Sequence, residues 1–173
     1  MLALFGAFCL GRTMNHEPHD KLASDAETPG NSRLVTLTDG PWAGWQHWQP
    51  VDDFEDHAGP FYCKPDGAGT LCGFIPDAKN RNGGGNIHGG ALMTFADYVL
   101  FMTALGSDPD LHGVTLTMNS EFIGAAEPGR LLTGRGEIIR AGFSIVFVRG
   151  QIEDEGRAVL SFSATIKKLK KRG

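Results

Sequence analysis

The sequence predicts an α+β domain in which a strongly curved antiparallel sheet wraps round one long central helix. Three observations predict it. Residues 90–105 carry apolar side chains at helical spacing and on almost every other position as well, the mark of a buried helix. Four strand-like segments follow this helix, and a short hairpin precedes it. A helix covered on all sides needs a layer that bends round it.

Taken in order, residues 1–40 read as an extension, with a single domain over 41–173. The first ten residues are apolar but lack the basic flank and small-residue cleavage site of a signal peptide. Residues 14–40 are polar, without sustained periodicity, and are expected to be loosely attached. His16 and His19 form an HxxH pair there, but two imidazoles alone make a poor metal site. Trp42, Trp45 and Trp48 recur every third residue, which suits one face of a short helix or turn docked on the body. Residues 51–57 (VDDFEDH) read as a helical turn, and 60–64 and 70–75 as two short strands joined through Pro65, Asp66 and Gly67. The central helix ends at Gly106, Asp108 and Pro109. Beyond it, residues 114–122 alternate Val114, Leu116 and Met118 with Thr115, Thr117 and Asn119. Segments 132–139, 144–152 and 158–168, joined at Ala141-Gly142 and Glu155-Gly156, form an antiparallel meander.

Composition narrows the function. The chain has 173 residues, 41% hydrophobic and 21% charged, with a net charge of −4. That excludes a coiled coil, a collagen-like repeat and a disordered tail, and argues against nucleic acid, since no cationic excess exists to displace counterions. No apolar run approaches the roughly 20 residues that span a bilayer, so no membrane partner is expected. Cys9, Cys63 and Cys72 have no CxxC spacing and read as reduced thiols, which suits a cytoplasmic protein. The 24 glycines are about twice the usual share of roughly 7%, so loops abound or backbone must approach something closely.

Two features carry chemistry. Asp97 stands in the middle of the most apolar helix, with no Lys or Arg three or four positions away. Either it lies on a polar stripe, or it is kept for work that needs a confined carboxylate. At the start of the same helix, Gly89 and Gly90 leave unpaired N–H groups open to a ligand carbonyl, a plausible oxyanion site for acyl transfer. Eight residues of helix separate Gly89 from Asp97, about 12 Å at 1.5 Å per residue. If both are catalytic, a second copy of the chain must supply one of them. No Gly-x-Ser-x-Gly elbow, P-loop, dinucleotide fingerprint or metal cluster is present in the sequence.

The spacing of Asn82, His88-Gly89-Gly90, Asp97 and then Gly113-Val114-Thr115-Leu116-Thr117-Met118-Asn119 resembles the hotdog-fold acyl-CoA thioesterases of the PaaI-like branch, over roughly residues 60–169. The resemblance implies hydrolysis of an acyl-CoA to free acid and coenzyme A, without metal or cofactor. Gly89 would polarise the thioester carbonyl through its N–H, with His88 and Gly90 shaping the turn. Asp97 would reach across from the partner subunit as general base or nucleophile. Asn82 would hold the water or thioester, and Thr115 would orient the water; many relatives have Ser there. Relatives often carry a basic residue after the hairpin glycine for the coenzyme A phosphates. Here that place is Phe143, which leaves Arg140, Arg149 or the tail Lys167, Lys168, Lys170, Lys171 and Arg172. The resemblance also implies a homodimer, or a dimer of dimers, with shared sites. A non-catalytic acyl-CoA-binding module and, further off, a hotdog hydratase or dehydratase are the alternatives.

Overall fold

The long helix is built by its two ends. In the computed structural model, which describes residues 33–67 and 69–170, it spans Gly89–Ser107 (α2). His88 precedes it in extended backbone and caps it, its Nδ1 accepting the N–H of Gly90 at 2.9 Å. At the other end the Asp108 N–H closes on the Ala104 carbonyl, and Pro109 cannot continue the turn. Eight strands surround it: β1 (Arg33–Thr36), β2 (Gln46–Gln49), β3 (Tyr62–Asp66), β4 (Gly69–Phe74), β5 (Gly113–Phe122), β6 (Leu132–Ala141), β7 (Ile145–Asp154) and β8 (Arg157–Lys168). A short helix, α1 (Asp53–Ala58), lies between β2 and β3. The strands form one curved antiparallel sheet in the order β1-β2-β3-β4-β6-β7-β8-β5.

The core lies between α2 and the inner face of this sheet. Phe95, Val99 and Leu100 of α2 meet Leu132, Val148, Ile152, Leu160, Phe162 and Ile166, all essentially inaccessible. Phe61, Phe74, Phe95 and Tyr98 form an aromatic cluster, with Phe61 edge-on to Phe74 at 4.9 Å and tilted against Phe95 at 5.3 Å. Each such side chain contributes about 1.5–3 kcal/mol by leaving water. The glycine excess has a structural use here. A Cβ on Gly134 would strike Val99, and one on Gly136 would strike Thr103, so α2 nests against β6 where no side chain intervenes. By length and composition α2 could cross a membrane, but its apolar faces meet the sheet.

Three expectations are corrected. Trp42, Trp45 and Trp48 do not share one face: residues 41–44 form a turn, as one of the two expected forms, with Gly44 at φ 83°, but Trp48 stands in β2 opposite Leu34. Trp42 and Trp45 instead cover Gly73 of β4, and Trp42 stacks on Tyr62 at 4.1 Å. Residues 33–36, expected to be loosely attached, form β1, paired along its length with β2, so the body begins before residue 41; residues 1–32, with Cys9 and the HxxH pair, lie outside the described residues. The alternation read in β5 is broken by a bulge between Thr115 and Thr117. Leu116 is the extra residue, so Thr115 and Met118 are both half-buried while Val114 and Leu116 are exposed. Cys63 and Cys72 are buried free thiols directly opposite one another on β3 and β4.

Candidate active site

Asp97 is confined because α1 lies alongside α2. Asp52 caps α1, its Oδ1 accepting the N–H groups of Phe54 and Glu55 at 3.1 and 3.0 Å, and this fixes where Phe54 and Glu55 stand. The result is a groove of about 490 Å3 lined by Asp52, Phe54, Glu55, Met93, Thr94, Asp97 and Met118. The bulge in β5 turns Thr115 toward the helix, where its hydroxyl donates to Asp97 Oδ1 at 2.7 Å. Burial pushes the Asp97 carboxyl above its ordinary pKa, and the Thr115 hydrogen bond draws it part of the way back. Glu55 is pushed up to about 7, chiefly by burial and then by the negative charges of Asp52 and Asp97. Asp97 is therefore not on an open polar stripe, and among the described residues no cation pairs with it. It is a half-buried carboxylate held by one hydroxyl at the wall of a groove.

A second groove, of about 370 Å3, opens at the N-terminus of α2. Its walls include Asn82, Asn86, Gly89, Leu92, Phe122 and Ala126. Asn80 builds the approach to it: buried, it donates through Nδ2 to the Ala58 carbonyl at 2.6 Å, accepts the Asp77 N–H at Oδ1, and takes the His88 N–H on its own carbonyl at 2.7 Å. With His88 fixed, its imidazole occupies the N–H of Gly90, and its carbonyl accepts the N–H groups of Ala91 and Leu92. The N–H of Gly89 is taken by no group among the described residues. Gly89 also lies under the Phe122 ring, since a Cβ there would come within 3.0 Å of it. Asn82 turns its Oδ1 to the Gly84 N–H at 2.8 Å, which holds the glycine-rich loop at the groove's rim.

The two grooves share no lining residue. Among the described residues, one chain thus presents a half-buried carboxylate in one groove and an unpaired helix N–H in the other. The sequence model described as "Thioesterase superfamily" matches residues 84–161, which run from the glycine-rich loop into the first half of β8. A Pseudomonas aeruginosa protein named "Putative esterase PA0474" is 32% identical over 110 residues, covering 62% of this chain and 82% of the relative.

The chain belongs to the thioesterase superfamily.

Solved structures of the superfamily share its fold. A hypothetical thioesterase protein of Streptococcus pneumoniae, crystallised with coenzyme A, superposes with a TM-score of 0.61 at 24% identity, over 68% of this chain and 93% of that one. The PaaI protein of the Escherichia coli phenylacetic acid degradation operon gives a TM-score of 0.63 at 17% identity, over 70% and 88%. At these identities the likeness carries the hotdog fold, a curved antiparallel sheet round one long helix. Asp97 and Thr115 come together in one groove of this thioesterase-superfamily chain, and Asn82 and Gly89 in the other, with His88 and Gly90 bonded to each other at the second. Arg140 and Phe143 line neither groove; Phe143 is 100% exposed at the β6–β7 turn. Arg149 is paired with Glu137, and Lys168 with Asp108 at 3.0 Å, while Lys171 and Arg172 lie outside the described residues. Sequence reasoning missed Glu55, Phe122 and Asn80. The acidic run at 51–57 was the available signal for Glu55; nothing local marks Phe122 or Asn80, whose roles come from contacts across the fold. Among the described residues no group of three His, Cys, Asp or Glu side chains could hold a metal ion.

Proposed function

We propose that the protein hydrolyses acyl-CoA thioesters to free acid and coenzyme A, at two equivalent sites shared between the subunits of a homodimer. The observation that carries this reading is the division of one acid and one oxyanion donor between two grooves that a single chain cannot join. β5 supplies the means. It is the last strand of the sheet, ten residues long, with Val114, Leu116 and Phe122 exposed along it, whereas the opposite edge is the four-residue β1. An unpaired edge of this length invites pairing. Asp97 is tied to Thr115 near one end of β5, and Gly89 lies under Phe122 at the other. Antiparallel pairing of β5 with its copy, about a two-fold axis near the strand's middle, brings each end beside the other end of the partner. Asp97 then faces Gly89 of the partner subunit.

In the reaction, the partner's Gly89 donates its N–H to the thioester carbonyl oxygen, at the positive end of α2. Asp97 as carboxylate takes a proton from a water that adds to the carbonyl carbon. Collapse of the tetrahedral adduct breaks the C–S bond; the thiolate of coenzyme A leaves and recovers the proton, and the acid is the other product. Thr115 holds Asp97 Oδ1, so Oδ2, which takes no hydrogen bond from the described residues, is the oxygen left for the water. Direct attack by Asp97 would instead form a mixed anhydride, and where water opens it at the Asp97 carboxyl carbon a single turnover in heavy-oxygen water places the label in Asp97 and not in the product, the reverse of the general-base route. The alternative of a binding module predicts tight acyl-CoA binding with no thiol release. The test is thiol release from a panel of short, medium, long and aryl acyl-CoAs, run beside Asp97→Asn. Release by the wild-type protein and its loss in the variant is the expected result; release by neither, from folded dimers, overturns it.

A further inference from the structure

The groove that holds Asp97 has a composition that bears on which acyl groups it accepts. One wall is apolar: Phe54, 65% exposed, Met93 and Met118. The other charged or titratable groups facing it are the carboxyls of Asp52, the cap of α1, of Glu55 from α1, and of Asp97 itself from α2; among the described residues no Lys, Arg or His lines it. The cap fixes the Asp52 carboxyl and the backbone that carries Glu55, because Asp52 Oδ1 accepts the Glu55 N–H. Glu55 is half-buried, so bulk water screens it less than a surface carboxylate. Each carboxylate near Asp97 adds negative potential to a confined space in which opposing cations are absent.

We infer that Glu55, with Asp52, makes this groove select uncharged acyl groups and reject those that end in a carboxylate. The inference rests on the hydrolase reading above, in which the acyl group lies on the Asp97 side of the thioester while coenzyme A extends toward the second groove. An alkyl chain or ring lies along Phe54, Met93 and Met118 and brings no charge to Glu55 and Asp52. An acyl group with a terminal carboxylate brings a third anion to Asp97, Glu55 and Asp52, and its rejection comes from repulsion rather than size. Glu55 therefore acts as a specificity-determining residue: it touches the far end of the acyl group, not the reacting carbon.

The test compares thioesters matched in length. Thiol release is measured at pH 8, where Glu55 is ionised, for hexanoyl-CoA against adipoyl-CoA, and for benzoyl-CoA against 4-carboxybenzoyl-CoA. The expected result is a kcat/KM for the neutral member of whichever pair is turned over at least about tenfold above that for the carboxylated member. In Glu55→Gln the ratio falls toward unity, and in wild-type protein it narrows as salt is raised from low to about 0.5 M. A purely structural role for Glu55 would lower both members equally and leave the ratio where it was. Equal turnover of the two members by the wild-type protein, or a ratio that Glu55→Gln and salt both leave unchanged, overturns the inference while the hydrolase reading stands. If none of the four is turned over, the comparison is made on the length-matched pair built from whichever member of the wider panel is released; release from no member of that panel overturns both.

Discussion

The two grooves of one chain differ in what they can offer a thioester. The groove at the head of α2 has polarity without charge: a free backbone N–H, two asparagines and an aromatic lid, built by loop hydrogen bonds through Asn80 and His88. The groove at its middle has charge without a donor aimed at a carbonyl: three carboxyl groups, one of them fastened by Thr115. Each half is costly to build, since one leaves a helix N–H unpaired and the other buries an acid. The difference teaches that neither is an end in itself. Their costs make sense under the proposed reading, in which the halves of two subunits meet.

The largest expected effect breaks the acidic half. Asp97→Asn keeps an oxygen for Thr115 but cannot accept a proton, so kcat falls about 100-fold or more with the melting temperature little changed; thiol release and calorimetry check both. Gly89→Val breaks the other half by placing a side chain against Phe122. Mixing two inactive variants is then the sharper experiment. Gly89→Val and Asp97→Asn subunits, unfolded and refolded together, form heterodimers with one intact site, and about a quarter of wild-type activity returns if subunits pair at random. Sites contained within one chain would return none. A smaller effect comes from Thr115→Val, which removes the bond that draws the Asp97 carboxyl down. Its acidity weakens, so the acid limb of the kcat/KM profile moves to higher pH and the maximum drops about tenfold.

The smallest effect lies in stability. Glu55 in the folded chain titrates near 7, against an ordinary value of 4.5. Between those values the folded form holds more protons than the unfolded one, so this group's contribution to stability is present below pH 4.5 and is lost as pH rises through 7. Glu55→Gln should therefore melt higher than wild type at pH 8, by about 2–4 °C for each kcal/mol regained, with the gap closing at pH 4.5. Asp154 serves as contrast. Burial (its side chain is 1% exposed) pulls its carboxyl upward, but hydrogen bonds and charge from Arg130 and Arg157 outweigh that and hold it below its ordinary value. Its contribution is present above the ordinary value and is lost as pH falls, the opposite slope to Glu55.

What was legible in the sequence divides along the same line. The long helix, the β3–β4 hairpin and the meander of β6, β7 and β8 follow from periodicity and turn residues, because local pattern decides them. The stretch at 33–49 was misread because a four-residue strand has too few positions to show a period, and three tryptophans spaced by three imitate a helix face. The bulge at Leu116 was invisible for a related reason: one inserted residue leaves the written alternation intact and changes only which half of it faces inward. At the site, Asp97 and the glycines stood out because they are locally anomalous. Glu55 and Phe122 did not, since an acid in an acidic turn and a phenylalanine at a strand end are unremarkable until the chain folds them against α2.

The position of α2 in the chain has a consequence for its synthesis. Translation delivers residues 89–107 while β5, β6, β7 and β8 are still to be made, and most of the side chains that meet its apolar faces belong to those strands. For the time needed to add some 60 further residues, about 3–12 s at ordinary elongation rates, a segment with the length and hydropathy of a membrane anchor is in the ribosome's tunnel mouth or just beyond it without its cover. The ribosome-bound chain is thus a hydrophobic client before it is an enzyme, and its yield depends on what shields that helix until the last strand arrives.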